Sequence, residues 1–189
     1  MTDPVPKTQR RPPVLIAEAD LAARVRALGA QIAADYQGRE LVVVVVLKGS
    51  FVFAADLVRC IALPLEIDFL GVRSYGDSTE TSGVVQITSD LSRSIEGKDV
   101  LLVEDIVDTG LTLRFLLDNL ATRSPRSVRL CALLHKPART LAPLPIDYLG
   151  FSIDDVFVVG YGLDHAQQHR NLPYVGVLGG AVDGAGGNA

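Results

Sequence analysis

Cysteine is scarce in this chain. It has two, Cys60 and Cys131, each inside an apolar stretch and neither in a CxxC pattern. That excludes a disulfide framework and a cysteine-built zinc site. Both are expected as buried free thiols in a reducing compartment. Long apolar runs are missing as well. The longest, Leu41 to Leu47, is far too short to cross a bilayer, so no membrane is expected. Positive charge is not in excess either. The net charge is −4 over 189 residues, and no basic patch neutralises phosphates, so nucleic acid is not expected as a partner. Met1 to Pro13 holds four prolines and no apolar core, which argues against a secretory signal and for a polar tail. A cytoplasmic location follows as the default. What is present is an apolar share of 48%, enough for one domain with a real core.

The chain is organised around Val100 to Leu113, VLLVEDIVDTGLTL. The apolar run Val100 to Val103 reads as a buried strand of a parallel sheet ending in Glu104 and Asp105. Asp108-Thr109-Gly110-Leu111-Thr112 then forms a tight loop. Leu113 to Leu120 reads as a helix, with Thr112 or Thr109 as its N-cap. Ligands of open α/β sheets bind at the carboxyl ends of strands. Successive backbone N–H groups from Thr109 to Thr112, two hydroxyls and a helix N-terminus make a phosphate cradle. The loop lacks the lysine of a Walker A motif, so a nucleoside triphosphate loop is excluded. Two carboxylates beside such a cradle suit sugar hydroxyls, or Mg²⁺, or both. A ribose 5-phosphate fits.

The rest alternates helix and strand. Leu21, Val25, Leu28 and Ile32 mark one face of a helix over Glu18 to Tyr36. Leu41 to Leu47 is a central strand, followed by Lys48-Gly49-Ser50 and a helix over Phe51 to Ile61. Leu65 to Val72 and Val84 to Thr88 are strands joined by the polar segment Arg73 to Gly83, a hairpin or a lid. Further strands are expected at Val128 to Leu134, Ile146 to Phe151, Val156 to Val159 and Tyr174 to Leu178, with Gly160 to Asn171 a loop or short helix. The glycine-rich tail from Gly179 is expected to be disordered. No linker divides the span from 14 to 178. The fold class is α/β, a parallel sheet flanked by helices with a small hood.

Several residues outside the central motif are chemically suggestive. Lys48-Gly49 ends a central strand, where a backbone N–H and a cation can meet a second anion. Lys136 ends another strand and can donate to a carbonyl oxygen. Phe157 sits at a strand end, where an aromatic can stack on a heterocycle, although a core phenylalanine is the commoner outcome. Asp164 and Arg170 suit Mg²⁺ and pyrophosphate oxygens, or a salt-bridged surface loop. His165 and His169 lack a third ligand for zinc other than Asp164. Asp154-Asp155 is expected to be a turn.

The run E-D-x-x-D-T-G-x-T at Glu104 to Thr112 resembles the 5-phosphoribosyl 1-pyrophosphate (PRPP) loop of type I phosphoribosyltransferases. Downstream, LLHKP, DDVFVVGYGLD and HRNLPYVGVL resemble the purine-specific, hypoxanthine(-guanine)-using bacterial branch. The similarity covers roughly Val14 to Leu178. It implies transfer of phosphoribose from PRPP to N9 of hypoxanthine or guanine, with Mg²⁺, yielding IMP or GMP and pyrophosphate. It places Glu104 and Asp105 on the ribose hydroxyls near one Mg²⁺. Asp108 is the acid/base group at purine N7, and Thr109, Gly110, Leu111 and Thr112 hold the 5-phosphate. Lys48-Gly49 matches the pyrophosphate loop, which in that family often has a non-proline cis peptide. Lys136 takes purine O6, Phe157 stacks on the ring, and the Val158 backbone reads its edge. Asp164 approaches a second Mg²⁺, Arg170 the pyrophosphate, and Ser74-Tyr75 matches the pair in a flexible lid. A homo-oligomer, dimer or tetramer, is implied as well.

Two departures stand out. His135 precedes Lys136 where such proteins usually have an acidic residue. Ser89 and Ser92-Arg93-Ser94 replace charged residues at positions expected on the surface. Two other readings are open. Xanthine is a possible acceptor, whereas adenine would set its 6-amino group against Lys136. A non-enzymatic PRPP sensor on the same fold is the other, since fold alone does not settle function.

Overall fold

The computed structural model describes residues 11–75 and 84–179, with backbone alone at 74, 75 and 84. Strand β2 (Leu41–Leu47) lies inside a six-stranded sheet and is buried at nearly every position. Its side chains alternate between two cores. Val43 and Val45 face helices α1 (Glu18–Asp35) and α2 (Phe51–Cys60), among Leu28, Ile32, Phe53 and Leu57. Val42, Val44 and Val46 face the opposite way, toward Leu113, Leu116 and Leu120 of α3 (Leu111–Ala121). A strand buried on both sides needs apolar residues without alternation, which is why this run reads as it does.

The other strands are β3 (Leu65–Tyr75), β4 (Val84–Ser89), β5 (Asp99–Val107), β6 (Ser127–His135) and β7 (Tyr148–Ser152). Their order is β4-β3-β2-β5-β6-β7. All neighbours are parallel except β3 with β4. From β2 the chain winds outward to β3 through α2 on one face. From β5 it winds the other way to β6 through α3 on the other face. The reversal falls between β2 and β5, the point where an open α/β sheet has its ligand crevice. The pairing of these two strands stops at Val45 and Val103, so the crevice opens just before Glu104.

A three-stranded antiparallel hood, order β1-β9-β8, is made by β1 (Val14–Ile16), β8 (Val158–Val159) and β9 (Val175–Val177). β1 was not expected from the sequence, since three residues carry no periodicity. Order also begins before Val14. Pro12 is buried and its carbonyl accepts from the Tyr174 hydroxyl at 3.1 Å, while Pro13 accepts from the Val177 N–H at 2.9 Å. β5 runs through Glu104 and Asp105 to Val107, four residues beyond the expected end, because Ile106 and Val107 continue its ladder with Leu134 and His135. β3 likewise extends through Ser74 and Tyr75, paired with Val85 and Val84. Residues 76–83 of the expected lid, and the outer parts of both tails, lie outside the described residues. No helix of the described residues is long and apolar enough to cross a membrane.

Candidate active site

The crevice is narrow because two glycines allow close approach, one to a carboxylate and one to backbone. Gly49 follows β2 and the cis peptide Leu47–Lys48. A methyl group on Gly49 would overlap the Asp105 carboxylate, and one on Gly162 of the hood would overlap the Gly49 carbonyl. Gly162 also has φ +102°, a conformation that side chains resist. The loop after β2, the end of β5 and the hood thus meet at one seam.

Glu104 and Asp105 share that seam. Asp105 is only 8% exposed, and its Oδ1 accepts from the Ile106 N–H at 2.9 Å. Burial, the Asp105 charge and a hydrogen bond with Asp105 push the Glu104 carboxyl well above its ordinary range. Burial also raises Asp105, against the Glu104 hydrogen bond and the more distant Arg170 charge. Glu104 Oε2 is buried with no hydrogen-bond partner among the described residues. The Oγ of Ser50, fully buried beside the Lys48-Gly49 loop, has none either. Polar atoms buried without partners mark a place shaped for something else to bind.

The loop expected to hold phosphate differs from expectation at its helix start. Neither threonine caps α3. The N-cap is Gly110, at φ 81°, and the helix begins at Leu111, two residues early. Thr109 Oγ1 lies 3.5 Å from the Leu111 nitrogen, too far and weak for a cap. The Thr109 carbonyl accepts from Leu141 and Ala142, each at 3.0 Å, and a side chain on Gly110 would overlap the Ala142 carbonyl. The loop is therefore braced from behind by residues 141–142. The N–H groups at the start of α3 have no carbonyl four residues back to accept them, which is what makes a helix N-terminus a seat for phosphate.

Next to this loop is a cleft of about 390 Å³. It is lined by five of the expected residues, Asp108, Lys136, Phe157, Val158 and Asp164, with Ile106 and Leu163 as apolar walls. Phe157 is 51% exposed, so it is not a core residue, and His165 meets its ring edge-on at 5.4 Å. Lys136 is 6% exposed, and its N–H donates to the Val107 carbonyl at 2.9 Å, joining the ends of β5 and β6. Two more lining residues, Arg139 and Asp155, were not expected. Arg139 Nε lies 2.6 Å from Asp108 Oδ1, its Nη1 lies 3.6 Å from Asp155 Oδ1, and Lys136 Nζ lies 3.5 Å from the same Asp155 oxygen. Asp155 does sit in a bend, as read from the sequence, but its carboxylate belongs to the cleft.

Asp164 and Arg170 pair with each other at 2.6 Å. Arg170 also donates to the Gly162 carbonyl at 2.7 Å, and Asp164 accepts from the Gln167 N–H at 2.8 Å. The segment carrying them is neither helix nor plain loop. It is a chain of tight turns with Gly160, Tyr161, Gly162, Ala166, Gln167 and His169 all at positive φ. His165 and His169 therefore share no helix face. Among the described residues no three of His, Cys, Asp and Glu gather as a metal-binding group. Another cleft, of about 320 Å³ between β3 and residues 92–95, holds none of the candidate residues. There the Asp68 carboxylate is engaged by Ser92 and Arg93. The side chains of Ser74 and Tyr75 lie outside the described residues.

A strand-loop-helix phosphate cradle at the reversal of a doubly wound sheet, with paired carboxylates before it, is the plan of a phosphoribosyl-transferring domain. Residues 16–166 match the phosphoribosyl transferase domain model, and the chain belongs to that family. More particularly, it is 49% identical to a hypoxanthine-guanine phosphoribosyltransferase of Mycobacterium avium, covering 87% of this chain and 84% of the relative. It is 52% identical to a hypoxanthine phosphoribosyltransferase of Haemophilus influenzae, covering 86% and 93%. A solved hypoxanthine phosphoribosyltransferase from Staphylococcus aureus superposes with a TM-score of 0.85 at 48% identity, covering 88% of this chain and 90% of that one.

Proposed function

We propose that this protein transfers the 5-phosphoribosyl group of PRPP to N9 of hypoxanthine or guanine. The products are IMP or GMP and pyrophosphate. The observation that carries the reading is the convergence of Asp108, Lys136, Phe157, Val158 and Asp164 on one cleft beside the phosphate loop. The names of its relatives support the same substrates.

In this reading Thr109 to Thr112 hold the 5-phosphate, and Glu104 and Asp105 hold the ribose hydroxyls. The sugar is then fixed at both ends, so the purine nitrogen attacks from a set position. The C1–oxygen bond to pyrophosphate breaks as the C1–N9 bond forms, and the proton at N7 passes to Asp108. Lys48, the Gly49 N–H and Arg170 stabilise the departing pyrophosphate. Lys136 takes O6, and Phe157 covers one face of the ring.

Mg²⁺ suits the donors present. Glu104 Oε2 is a buried carboxylate oxygen without a partner among the described residues, next to a second carboxylate. Mg²⁺ is commonly held by one or two carboxylates plus substrate phosphates rather than by an all-protein cage. Glu104 and Asp105 would hold one ion and Asp164 a second, and the metal would neutralise charge on the pyrophosphate. The proposal extends to a cytoplasmic homo-oligomer. Its test is pyrophosphate release from PRPP with hypoxanthine, guanine, xanthine and adenine in turn, with and without EDTA. Metal-dependent turnover of hypoxanthine or guanine supports it. PRPP binding without turnover of any base would replace it with a sensor.

A further inference from the structure

Resting on that function, we infer that Arg139 and Asp155 are positioning residues that keep Asp108 and Lys136 apart and aimed at one edge of a 6-oxopurine. N7–H and O6 lie side by side on the same edge, one a donor and the other an acceptor. A site that reads both must present an acceptor and a donor side by side. Here these are a carboxylate and an ammonium. Left alone at such a separation, the two attract strongly in a partly buried cleft and pair with each other. The pair would then occupy the place of the base edge.

The structure gives each of them another partner. Asp108 is ion-paired with Arg139 at 2.6 Å, in a geometry that leaves Oδ1 without a true hydrogen bond, and Lys136 with Asp155 at 3.5 Å. Arg139 and Asp155 are themselves linked at 3.6 Å, which closes an alternating chain, minus-plus-minus-plus, along the cleft wall. Both cations use the same oxygen, Asp155 Oδ1. The tightest link is Asp108 with Arg139, and each outer group has an inner partner of opposite charge, so neither has to turn to the other. A buried ammonium such as Lys136 also needs a carboxylate partner when no base is bound.

Local structure explains how Arg139 gets there. Pro137 starts a single 3-10 turn over Pro137–Arg139, in which the Arg139 N–H donates back to the Lys136 carbonyl at 3.1 Å. The turn brings residue 139 back over the cleft. His135 Nε2 is 3.1 Å from Thr140 Oγ1, which fastens the far side of the turn. So His135 braces the turn that carries Arg139.

The test compares Arg139→Gln, Arg139→Lys and Asp155→Asn with the parent enzyme. The readouts are KM for hypoxanthine, KM for PRPP, and the kcat/KM ratio of hypoxanthine to purine unsubstituted at C6. Arg139→Gln is expected to raise the hypoxanthine KM about tenfold, the size of coupling within one charge network. The PRPP KM should stay within about twofold. The preference for hypoxanthine over unsubstituted purine should shrink, since the oxygen is no longer well met. Arg139→Lys should recover most of the loss, and Asp155→Asn should reproduce the Gln pattern, which also covers the case of an Arg139→Gln protein that does not fold. An unchanged hypoxanthine KM overturns the inference, as do parallel rises in both KM values or a Lys variant no better than Gln. A parent enzyme inactive with every 6-oxopurine removes the proposed function itself, whereas an active parent with indistinguishable variants removes only this inference.

Discussion

At the proposed phosphate end of the crevice, every group but Arg170 comes from two neighbouring parallel strands and the residues that directly follow them. Lys48 and Gly49 leave β2, and Glu104 to Thr112 run along and off β5. Their placement is enforced by burial, since the strand segments beneath, Leu41–Leu47 and 100–103, are apolar and buried. At the purine end the groups come from β6, a 3-10 turn, a bend, a two-residue strand and a chain of tight turns. They are held by ion pairs, Asp108 with Arg139, Lys136 with Asp155, and Asp164 with Arg170. One end is positioned by packing and the other by charge. That suits the tasks proposed for them. A phosphoribosyl group is recognised by a rigid cradle, while a base must enter and leave, and partly exposed ion pairs exchange partners at little cost.

Asp108 stands where the two ends join, on the phosphate loop but paired across the cleft. Its removal should give the largest effect. Asp108→Asn keeps the shape and removes the base proposed for the N7 proton. We expect kcat to fall by about 10²- to 10⁴-fold, the usual span for a general acid/base, with the PRPP KM little changed. Single-turnover product formation measures it. A loss below about threefold would show that solvent takes the proton and that the two ends act separately.

The seam between them is the next target. Gly162→Ala forces a side chain into a positive-φ position and against the Gly49 carbonyl. A stability loss of about 3 kcal/mol is expected in urea unfolding. If the variant unfolds like the parent, hood and sheet are not packed as tightly as the contact implies.

The same division decides how much could be read beforehand. The phosphate end is contiguous in sequence, so Glu104, Asp105, Asp108 and the Thr109–Thr112 loop stood out by type and spacing. Leu41 to Leu47 announced a doubly buried strand. Arg139 and Asp155 did not stand out, because an arginine after a proline and an aspartate in a bend are ordinary surface residues, and only the folded chain sets them against Asp108 and Lys136. The helix cap was misread for a similar reason. Two threonines near a helix start suggest a hydroxyl cap, but the approach of the Ala142 carbonyl demands a glycine there. β1 escaped because its three residues pair with β9, over a hundred and fifty positions away, and nothing local marks them. The extension of β5 through two carboxylates ran against strand propensity, which partners in the ladder overrode.

Phe157 probes the purine end alone. Its exposed ring has one edge-on neighbour, His165, and a free outward surface. Phe157→Ala should raise the hypoxanthine KM about tenfold, in line with base–aromatic stacking, and leave the PRPP KM unchanged. Equal rises in both would mean that the ring supports the hood instead.

The smallest effect has the most informative sign. Glu104 is buried beside Asp105, and its carboxyl is raised above the ordinary 4.5. Below pH 4.5 the group is protonated folded and unfolded, and burial carries no charge penalty. As pH rises toward the folded value, the unfolded chain releases its proton more readily, so the folded state loses stability across that window. Glu104→Gln stays neutral and escapes the loss. The variant should therefore match the parent below about pH 4.5 and be the more stable of the two near pH 8, as thermal melts without ligand would show. Mg²⁺ with PRPP should reverse the order, because only the glutamate offers the anion proposed to meet the metal and the ribose hydroxyls. A variant less stable than the parent at pH 8 without ligand would mean that the pair is already neutralised within the fold. The phosphate end would then be held by charge like the purine end, and the contrast between the two would be lost.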